Sequence, residues 1–234
     1  AFHCSLIVPS NSAFSHAIRA AWPVMFGYVP LGLAFGVLFA QLDYAWYYAT
    51  LMGLIVYAGA AQFLAVGLLG AGAGLVEIGL ATLLLNARHV FYGLSLAPRF
   101  PPRGASRLYL MFGLTDETYA LLASRKPPPA VAATRFYLLV TALNQAAWVA
   151  GCTLGALLGG ALSIDTRGLE FTLTALFVVL VVEQARAIRD PRPFLIALVS
   201  GAVALLVVGS EHMLLVALGL AMLLLFLGRR RAYA

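Results

Sequence analysis

Polar and charged side chains stand inside two apolar stretches of this chain, at spacings that suit the binding of a small polar molecule. The first stretch, Tyr57–Gln62, ends in a side-chain amide that needs hydrogen-bond partners wherever water is scarce. The second places Asn86, Arg88 and His89 almost next to one another. A guanidinium presents a planar fork of donors that matches a carboxylate, and an amide can hold either charged end of a zwitterion. We therefore predict that both stretches contribute to one binding site.

Gly59, between Tyr57 and Gln62, has two interpretations. In the first, the glycine and alanines of this run only permit close packing between helices. In the second, Gly59 breaks the helix, so that freed backbone amides and a half-helix N-terminus face a bound anion. Gln62 favours the second interpretation, because its amide lies about one turn further on and can hold the same polar group.

Two carboxylates, Asp116 and Glu117, also lie in an apolar segment, and they are the expected counter-charges of Arg88. A carboxylate or histidine that is partly buried near other charges can exchange protons close to neutral pH. Asp116, Glu117 and His89 are therefore candidates for proton coupling. The alternatives are that Arg88 reaches towards the membrane interface while His89 is a satisfied core histidine, and that the carboxylates belong to an ordinary structural ion pair or to a hydrated loop.

Asn144 and Gln145 form a third polar position, with Trp148 one helical turn further on. Hydrogen bonding between helices and contact with the bound molecule are equally compatible with these residue types. We include both amides among the predicted binding residues.

Signatures of enzymes and of metal or cofactor sites are absent from the sequence. It contains no HExxH, P-loop or GxSxG motif, and its four histidines are too scattered for helical metal ligation. Cys4 and Cys152 form neither a disulfide framework nor a metal set. We expect no catalytic residue, no metal and no cofactor. The net charge of +6 comes mostly from arginines at segment ends, so we expect contact with lipid and no nucleic-acid partner.

The composition defines the elements that must position these residues. Of the 234 residues, 62% are hydrophobic and 10% are charged, and the mean hydropathy is +0.94, which is typical of a polytopic membrane protein. Four charge-free stretches are each long enough to cross a bilayer as a helix, which needs about 20 apolar residues. They lie between Arg19 and Asp43, Asp43 and Glu77, Arg135 and Asp165, and Arg192 and Glu211.

We therefore predict an all-α fold, a polytopic transmembrane helix bundle of about seven spans. An N-terminal tail with an interfacial helix over 1–22 precedes a transmembrane domain over 23–228, and a basic tail over 229–234 faces the cytoplasm. Pro30 is expected to kink or break the first span. Tyr109–Ala123 is short for a crossing, so we expect it to be re-entrant or broken. The predicted spans cover approximately residues 23–41, 49–69, 75–97, 136–158, 169–182, 193–208 and 213–227.

The number of crossings decides which loops face the cytoplasm. Seven crossings place the N-terminus outside and the large arginine clusters inside, whereas eight crossings leave Arg99, Arg103 and Arg107 outside. Seven crossings violate the positive-inside rule less.

Glycines four residues apart in the first and fourth spans predict faces for close helix contact. They also give a weak signal of an inverted repeat, an arrangement that is common in transporters. These glycines are Gly32 and Gly36 in the first span and Gly151, Gly155 and Gly159 in the fourth.

Five motifs, in order and at similar spacings, resemble the AzlC family, the large subunit of branched-chain amino acid exporters. The resemblance spans roughly Pro23–Leu180 without a long insertion. The motifs are PLGLAFGVLFA (30–40), YAGAAQF (57–63), NARHVFYGLSLAPR (86–99), GLTDETYAL (113–121) and GLEFTLTALF (168–177).

This resemblance implies a permease of the bacterial inner membrane that exports leucine, isoleucine and valine, usually together with a small AzlD-type membrane subunit. Because no nucleotide site is recognisable, we expect export to draw on a gradient, by proton antiport. A non-transporting scaffold or sensor subunit is the alternative, and a membrane-embedded enzyme lacks a recognisable nucleophile here. The positions that match the family are Gly59, Gln62, Asn86, Arg88, His89, Asp116 and Glu117.

Overall fold

The computed structural model describes residues 10–129, 131–161, 178, 181–182, 185–186 and 190–232. Every regular element within them is a helix, which confirms the all-α prediction. Most of the predicted fifth span, together with Glu170 and Glu183, lies outside the described residues.

The described residues form nine α-helices and two shorter helical segments. Helix α2 continues directly into a π-helical segment, Met52–Val56, and α5 continues into a 3₁₀ turn, Ala97–Arg99. The helices are α1 (Ser10–Ala40), α2 (Trp46–Leu51), α3 (Gly59–Gly70), α4 (Leu75–Asn86), α5 (Arg88–Leu96), α6 (Ala105–Phe112), α7 (Asp116–Ser124), α8 (Ala133–Ala161) and α9 (Arg192–Ala232).

Three segments in the described part of the chain are long and apolar enough to cross a membrane: Ala13–Ala40, Ala133–Ala161 and Arg192–Gly209. They correspond to the predicted first, fourth and sixth spans. Gly209 has a φ of 72°, a conformation that glycine adopts without steric cost, and it divides α9 where we predicted the sixth and seventh spans to separate. The count of seven spans stays a prediction.

Helix α1 is longer and more regular than predicted. It begins at Ser10, so the expected interfacial helix is its first part, and it continues through Pro23 and Pro30. Of the two expectations for Pro30, the break is therefore wrong, and the kink stays a prediction. Proline removes one intrahelical hydrogen bond, which membrane helices tolerate when neighbouring helices support them, and α8 packs closely against α1 on both sides of Pro30.

The chain divides into two compact units. One contains the described residues up to Phe63 together with those from Asn86 to Ala161, and the other contains Leu64–Leu85 and the described residues from 178 onwards. The predicted binding residues belong to the first unit.

The seam between α1 and α8 organises the first unit. A Cβ atom placed on Gly32 would lie 2.9 Å from the Trp148 carbonyl oxygen, and one placed on Gly151 would lie 2.7 Å from the Val29 carbonyl oxygen. Real Cβ atoms do not approach a backbone so closely, so only glycine fits at these positions. The glycines four residues apart in the first span and those in the fourth thus pack against each other in one helix contact.

The helix that we predicted over 49–69 is interrupted at Tyr57–Ala58. Tyr57 has a φ of 42°, in the left-handed region that residues with a Cβ rarely adopt, and α3 begins two residues later at Gly59. The interruption is therefore not at Gly59 itself. Positive φ in a buried non-glycine residue costs of order 1–3 kcal/mol and is found mainly at functional sites.

The predicted short element is interrupted as well, between α6 and α7. Gly113, Leu114 and Thr115 separate the two helices, and the Thr115 hydroxyl caps α7 by accepting a hydrogen bond from the Thr118 amide at 3.2 Å. By contrast, α4 and α5 meet at Ala87, whose backbone angles remain helical.

Helices α5 and α7 lie side by side and run in the same direction. At their beginnings Arg88 contacts Asp116, and beyond the end of α5 the Arg99 guanidinium donates to the Leu122 carbonyl oxygen at 2.9 Å. Contacts made further along the chain from Arg88 thus fall further along α7, as expected for two helices that run in the same direction.

Because α5 and α7 run in the same direction, α6, which connects them, must run in the opposite direction. Arg107, in the first turn of α6, donates to the Ala97 and Pro101 carbonyl oxygens just after α5. The first turn of α6 and the last turn of α7 thus both contact residues 97–101, and we call this arrangement, with its tip at 113–115, the α6–α7 hairpin.

Candidate functional site

The interruption at Tyr57 places a buried phenol beside the N-terminus of α3. Tyr57 is 3% exposed, its ring contacts that of Phe112 at 6.2 Å between centroids, and its hydroxyl lies beside Thr118 without a hydrogen bond of normal geometry. A helix leaves its first backbone amides without intrahelical acceptors. The break therefore presents a phenolic hydroxyl and free amides on neighbouring parts of the chain.

The lack of a side chain at Gly59 allows the Trp148 indole to pack beside this interruption. A Cβ on Gly59 would lie 3.1 Å from the Trp148 Cη2 atom, so the indole rests on the glycine. The indole Nε1 then donates to Gln62 Oε1 at 2.9 Å. Gln62 is fully buried and lies beside the Cys152 thiol, and its Nε2 makes no hydrogen bond of normal geometry among the described residues.

Asn144 lies one turn before Trp148 on α8. Its Nδ2 donates to the Thr118 hydroxyl of α7 at 3.1 Å, and its Oδ1 has no partner among the described residues. Both Asn144 and Thr118 are fully buried.

Tyr57, Gln62 and Asn144 thus form what we call the buried amide cluster. Trp148 joins Gln62 to α8 one turn from Asn144, and Thr118 joins Asn144 to the neighbourhood of Tyr57. In the described part of the chain, each member keeps one polar atom without a hydrogen-bond partner: a hydroxyl, an NH₂ donor and a carbonyl acceptor. Unsatisfied buried polar atoms are costly, at about 1–3 kcal/mol each, and therefore suggest a ligand or bound water.

Arg88 and Asp116 form an ion pair at the beginnings of α5 and α7. Arg88 Nη2 lies 2.8 Å from Asp116 Oδ2, and the other carboxylate oxygen accepts a hydrogen bond from the Tyr92 hydroxyl at 2.6 Å. The side chains are 19% and 30% exposed. Both oxygens of Asp116 are therefore engaged, one by a charge-assisted hydrogen bond.

The neighbours of Arg88 are less fully bonded. Arg88 Nε and Asn86 Oδ1 are buried and lack partners among the described residues. The centroid of the His89 ring lies 5.6 Å from that of the Tyr92 ring, and His89 interacts electrostatically with both Arg88 and Asp116.

Glu117 is not part of the Arg88 ion pair. It turns towards α1, where its Oε2 accepts a hydrogen bond from the Tyr28 hydroxyl at 2.7 Å. Tyr28 is buried, and its oxygen also lies 2.5 Å from the Thr115 hydroxyl. The two adjacent carboxylates of α7 thus have different partners, one cationic and one neutral.

Gln145 has a structural role in this arrangement. Its Oε1 accepts from the Tyr109 hydroxyl at 2.7 Å and its Nε2 donates to the Leu54 carbonyl oxygen at 3.2 Å. Both ends of the amide are therefore used between helices, which supports the structural interpretation of this residue over contact with a bound molecule.

The family model described as AzlC protein matches residues 23–162, well over half of the chain. The chain belongs to the AzlC family. A relative in Bacillus subtilis, the branched-chain amino acid transport protein AzlC, is 34% identical over 173 residues, covering 74% of this chain and 68% of the relative. The resemblance in the motifs is thereby confirmed.

Two further relatives are named as membrane proteins. One from Helicobacter pylori is 38% identical over 221 residues, which are 94% of this chain and 95% of the relative. The inner membrane protein YgaZ of Escherichia coli is 29% identical over 177 residues, covering 73% of this chain and 72% of YgaZ. No solved structure matches.

Sequence reasoning missed four hydroxyl residues that surround the predicted residues. Tyr28, Tyr92, Thr115 and Thr118 connect the predicted residues to one another, yet none carries a charge. For Tyr28 a signal was available, because a tyrosine within a span, away from the aromatic residues at its ends, needs a buried partner for its hydroxyl. For the others the signal lies only in their closeness to polar residues in the sequence.

No metal site occurs in the described part of this AzlC-family chain, where no three His, Cys, Asp or Glu side chains come together. The polar groups present are instead amides, hydroxyls, one guanidinium and two carboxylates, which suit a zwitterion and a proton.

Proposed function

We propose that this protein exports leucine, isoleucine, valine and similar aliphatic amino acids across the bacterial inner membrane, driven by an ion gradient. The observation that carries the proposal is the buried amide cluster, where three unpartnered polar atoms lie beside an interrupted helix. Interrupted helices with polar backbone at membrane depth are typical of transporter binding sites. The name of the Bacillus subtilis relative supports the substrate class.

The cluster offers complementary groups to an amino acid. Gln62 Nε2, the Tyr57 hydroxyl and the first amides of α3 can donate to the carboxylate, and Asn144 Oδ1 can accept from the ammonium group. The aliphatic side chain would pack against aromatic rings, of which Trp148 is the nearest. A single CH₂ in such a pocket is worth only about 0.8 kcal/mol, so we expect several aliphatic amino acids to be accepted.

Asn86 and Arg88 are proposed to contact the substrate on its way to or from the cluster. Both keep one buried polar atom without a partner among the described residues. Because Arg88 Nη2 is held by Asp116, the pair would have to rearrange for the guanidinium to grip a carboxylate with both nitrogens. We place Gln145 outside the binding set.

Export is proposed to be coupled to proton entry, with Asp116, Glu117 and His89 as the titratable groups of the site. A small AzlD-type membrane subunit is the proposed protein partner.

The test is efflux of labelled leucine from cells that express this chain, alone and together with the small membrane protein encoded beside it. We expect efflux above the empty-vector rate in at least one of the two strains, and none for labelled lysine. If neither strain exports any aliphatic amino acid although the chain is present in the membrane, the scaffold or sensor alternative replaces this proposal.

A further inference from the structure

A chain of hydroxyl groups connects Glu117 to the buried amide cluster. The Tyr28 oxygen lies 2.7 Å from Glu117 Oε2 and 2.5 Å from Thr115 Oγ1, Thr115 Oγ1 lies 3.0 Å from Thr118 Oγ1, and Thr118 Oγ1 lies 3.1 Å from Asn144 Nδ2. Three helices contribute to it: α1, α7 and α8. Its inner end at Thr118 lies beside the Tyr57 hydroxyl.

The protonation of Glu117 decides how the three hydroxyl groups of this chain can donate. Each hydroxyl has a single proton, and an ionised carboxylate only accepts. When Glu117 is ionised, Tyr28 donates to it, so the short Tyr28–Thr115 contact needs the Thr115 proton, and the hydrogen bond that Thr115 donates to Thr118 in the structure is lost. When Glu117 is protonated, its own proton is donated to Tyr28 and the order reverses.

The reversal changes the hydrogen-bond donor that Thr118 presents at the inner end of the chain. Asn144 Nδ2 carries only donors and bonds to the Thr118 oxygen in either state. With Glu117 ionised, Thr118 loses the hydrogen bond from Thr115, and its own proton is free to turn back towards the Thr115 oxygen. With Glu117 protonated, Thr115 donates to Thr118, and the Thr118 proton turns towards Tyr57. The proton binds at Glu117, and no O–H bond of the hydroxyl chain breaks.

We propose that Glu117 carries the coupling proton and that the chain Tyr28–Thr115–Thr118 communicates its protonation to the buried amide cluster. This inference rests on the proposed export function and assigns the coupling to one of its three titratable groups. Protonation of Glu117 would alter the donors that Thr118 and Tyr57 present, and thereby the affinity for the amino acid carboxylate.

The surroundings of the two carboxylates favour Glu117 over Asp116. Asp116 is bonded to the Arg88 guanidinium and to the Tyr92 hydroxyl, so both of its oxygens are already occupied. Glu117 is bonded to a neutral phenol and has no ion pair among the described residues. Glu117 is also more exposed than Asp116.

The titratable and charged groups around Glu117 come from every neighbouring element. Helix α1 contributes Tyr28, the interruption before α3 contributes Tyr57, and α5 directs Arg88 and His89 towards the adjacent Asp116. Helix α8 contributes the neutral Asn144 to the far end of the chain. Among the residues that the structure describes, Tyr28 is the one that contacts both Glu117 and the buried Thr115.

Purified protein in liposomes, with and without the small membrane protein encoded beside it, separates coupling from transport. The first measurement is exchange of labelled leucine at equal pH on both sides, and the second is its acceleration by an inward proton gradient. We expect Tyr28→Phe to exchange leucine but to lose the acceleration, because its ring is kept and only the relaying hydroxyl is removed. Glu117→Gln should lose the acceleration as well.

Tyr137→Phe is the matched control. Tyr137 is as deeply buried as Tyr28, and its hydroxyl is not part of the chain. This variant should keep both the exchange and the acceleration. If Tyr28→Phe does not insert, the pair Thr115→Ser and Thr115→Val replaces it, with coupling expected only in the serine variant.

Each outcome is decisive. Leucine exchange without acceleration in the unmodified protein would overturn proton coupling at Glu117 while leaving the exporter proposal standing. Acceleration that survives in Tyr28→Phe would overturn the role of the hydroxyl chain. If the unmodified protein exchanges no amino acid, the proposed function fails.

Infrared difference spectra between acidic and neutral pH test the same chain without transport. We expect a carboxylic-acid band that disappears in Glu117→Gln, shifts in Tyr28→Phe and stays unchanged in Tyr137→Phe. Such a band would support Glu117, hydrogen-bonded to Tyr28, as the proton carrier. The absence of any band assignable to Glu117 would overturn it.

Discussion

Gln62 and Gln145 are both amides within apolar helices, and the sequence gives no reason to treat them differently. Their surroundings do. Both ends of Gln145 are bonded between helices, whereas Gln62 uses only its oxygen, on Trp148. Residue type and spacing predict that an amide needs partners, but whether protein supplies all of them depends on contacts between residues far apart in the sequence.

Replacing the two glutamines should separate binding from stability. Gln62→Leu leaves the Trp148 N–H buried without an acceptor, and Gln145→Leu leaves the Leu54 carbonyl oxygen without its amide donor, so each should destabilise the protein by about 1–3 kcal/mol. Only Gln62→Leu should also abolish leucine transport. Thermal unfolding in detergent and leucine efflux measure the two effects. Equal transport by both variants would remove Gln62 from the site.

Gly59 should tolerate no side chain, although it is not the residue with unusual backbone angles. Gly59→Ala places a methyl group 3.1 Å from the Trp148 ring, so the indole must move and its hydrogen bond to Gln62 weakens. We expect transport to fall by about tenfold or more, equivalent to about 1.4 kcal/mol of lost binding. Gly79→Ala is the control, because its methyl group meets nothing within 4 Å; unchanged transport in both variants would contradict the prediction.

The helices themselves were partly predictable. Glycine spacing identified the close-packing faces of α1 and α8, and the shortness of Tyr109–Ala123 indicated a broken element. The positive φ of Tyr57 could not be predicted, because glycine is the usual residue there and Gly59 stands only two positions away. The path of α1 through two prolines depends on support from α8, which the sequence of α1 does not contain.

The seam between α1 and α8 should govern the stability of the first unit. Gly151→Ala places a methyl group 2.7 Å from the Val29 carbonyl oxygen, and overpacking of this kind costs about 1–3 kcal/mol. Gly160→Ala lies on the same helix and meets nothing within 4 Å, so it should leave the unfolding temperature unchanged or raise it slightly. The midpoint of thermal unfolding in detergent measures the difference. A Gly151→Ala variant as stable as Gly160→Ala would show that the helices can separate at no cost.

For the whole molecule, the hairpin formed by α6 and α7 bears directly on the number of crossings. Helices of 8 and 9 residues are about 12 and 14 Å long, whereas the hydrocarbon core is about 30 Å thick. The contacts of Arg99 with the end of α7, and of Arg107 with the chain just after α5, keep the two ends of the hairpin on one side. Sequence alone left seven and eight crossings open, because charge counting cannot tell a re-entrant hairpin from a short crossing.

Reporter fusions should therefore place Arg103 and Lys126 on the same side of the membrane. In the seven-crossing arrangement that side is the cytoplasm, so a fluorescent reporter should be active at both positions and a periplasmic phosphatase at neither. A fusion at Gly72, between α3 and α4, should give the opposite pattern and serves as the control. Opposite sides for Arg103 and Lys126 would mean that α6 and α7 cross the membrane as one broken span. The hairpin and the re-entrant segment would then both be wrong, whereas the buried amide cluster, which depends on Tyr57, Gln62 and Asn144, would still stand.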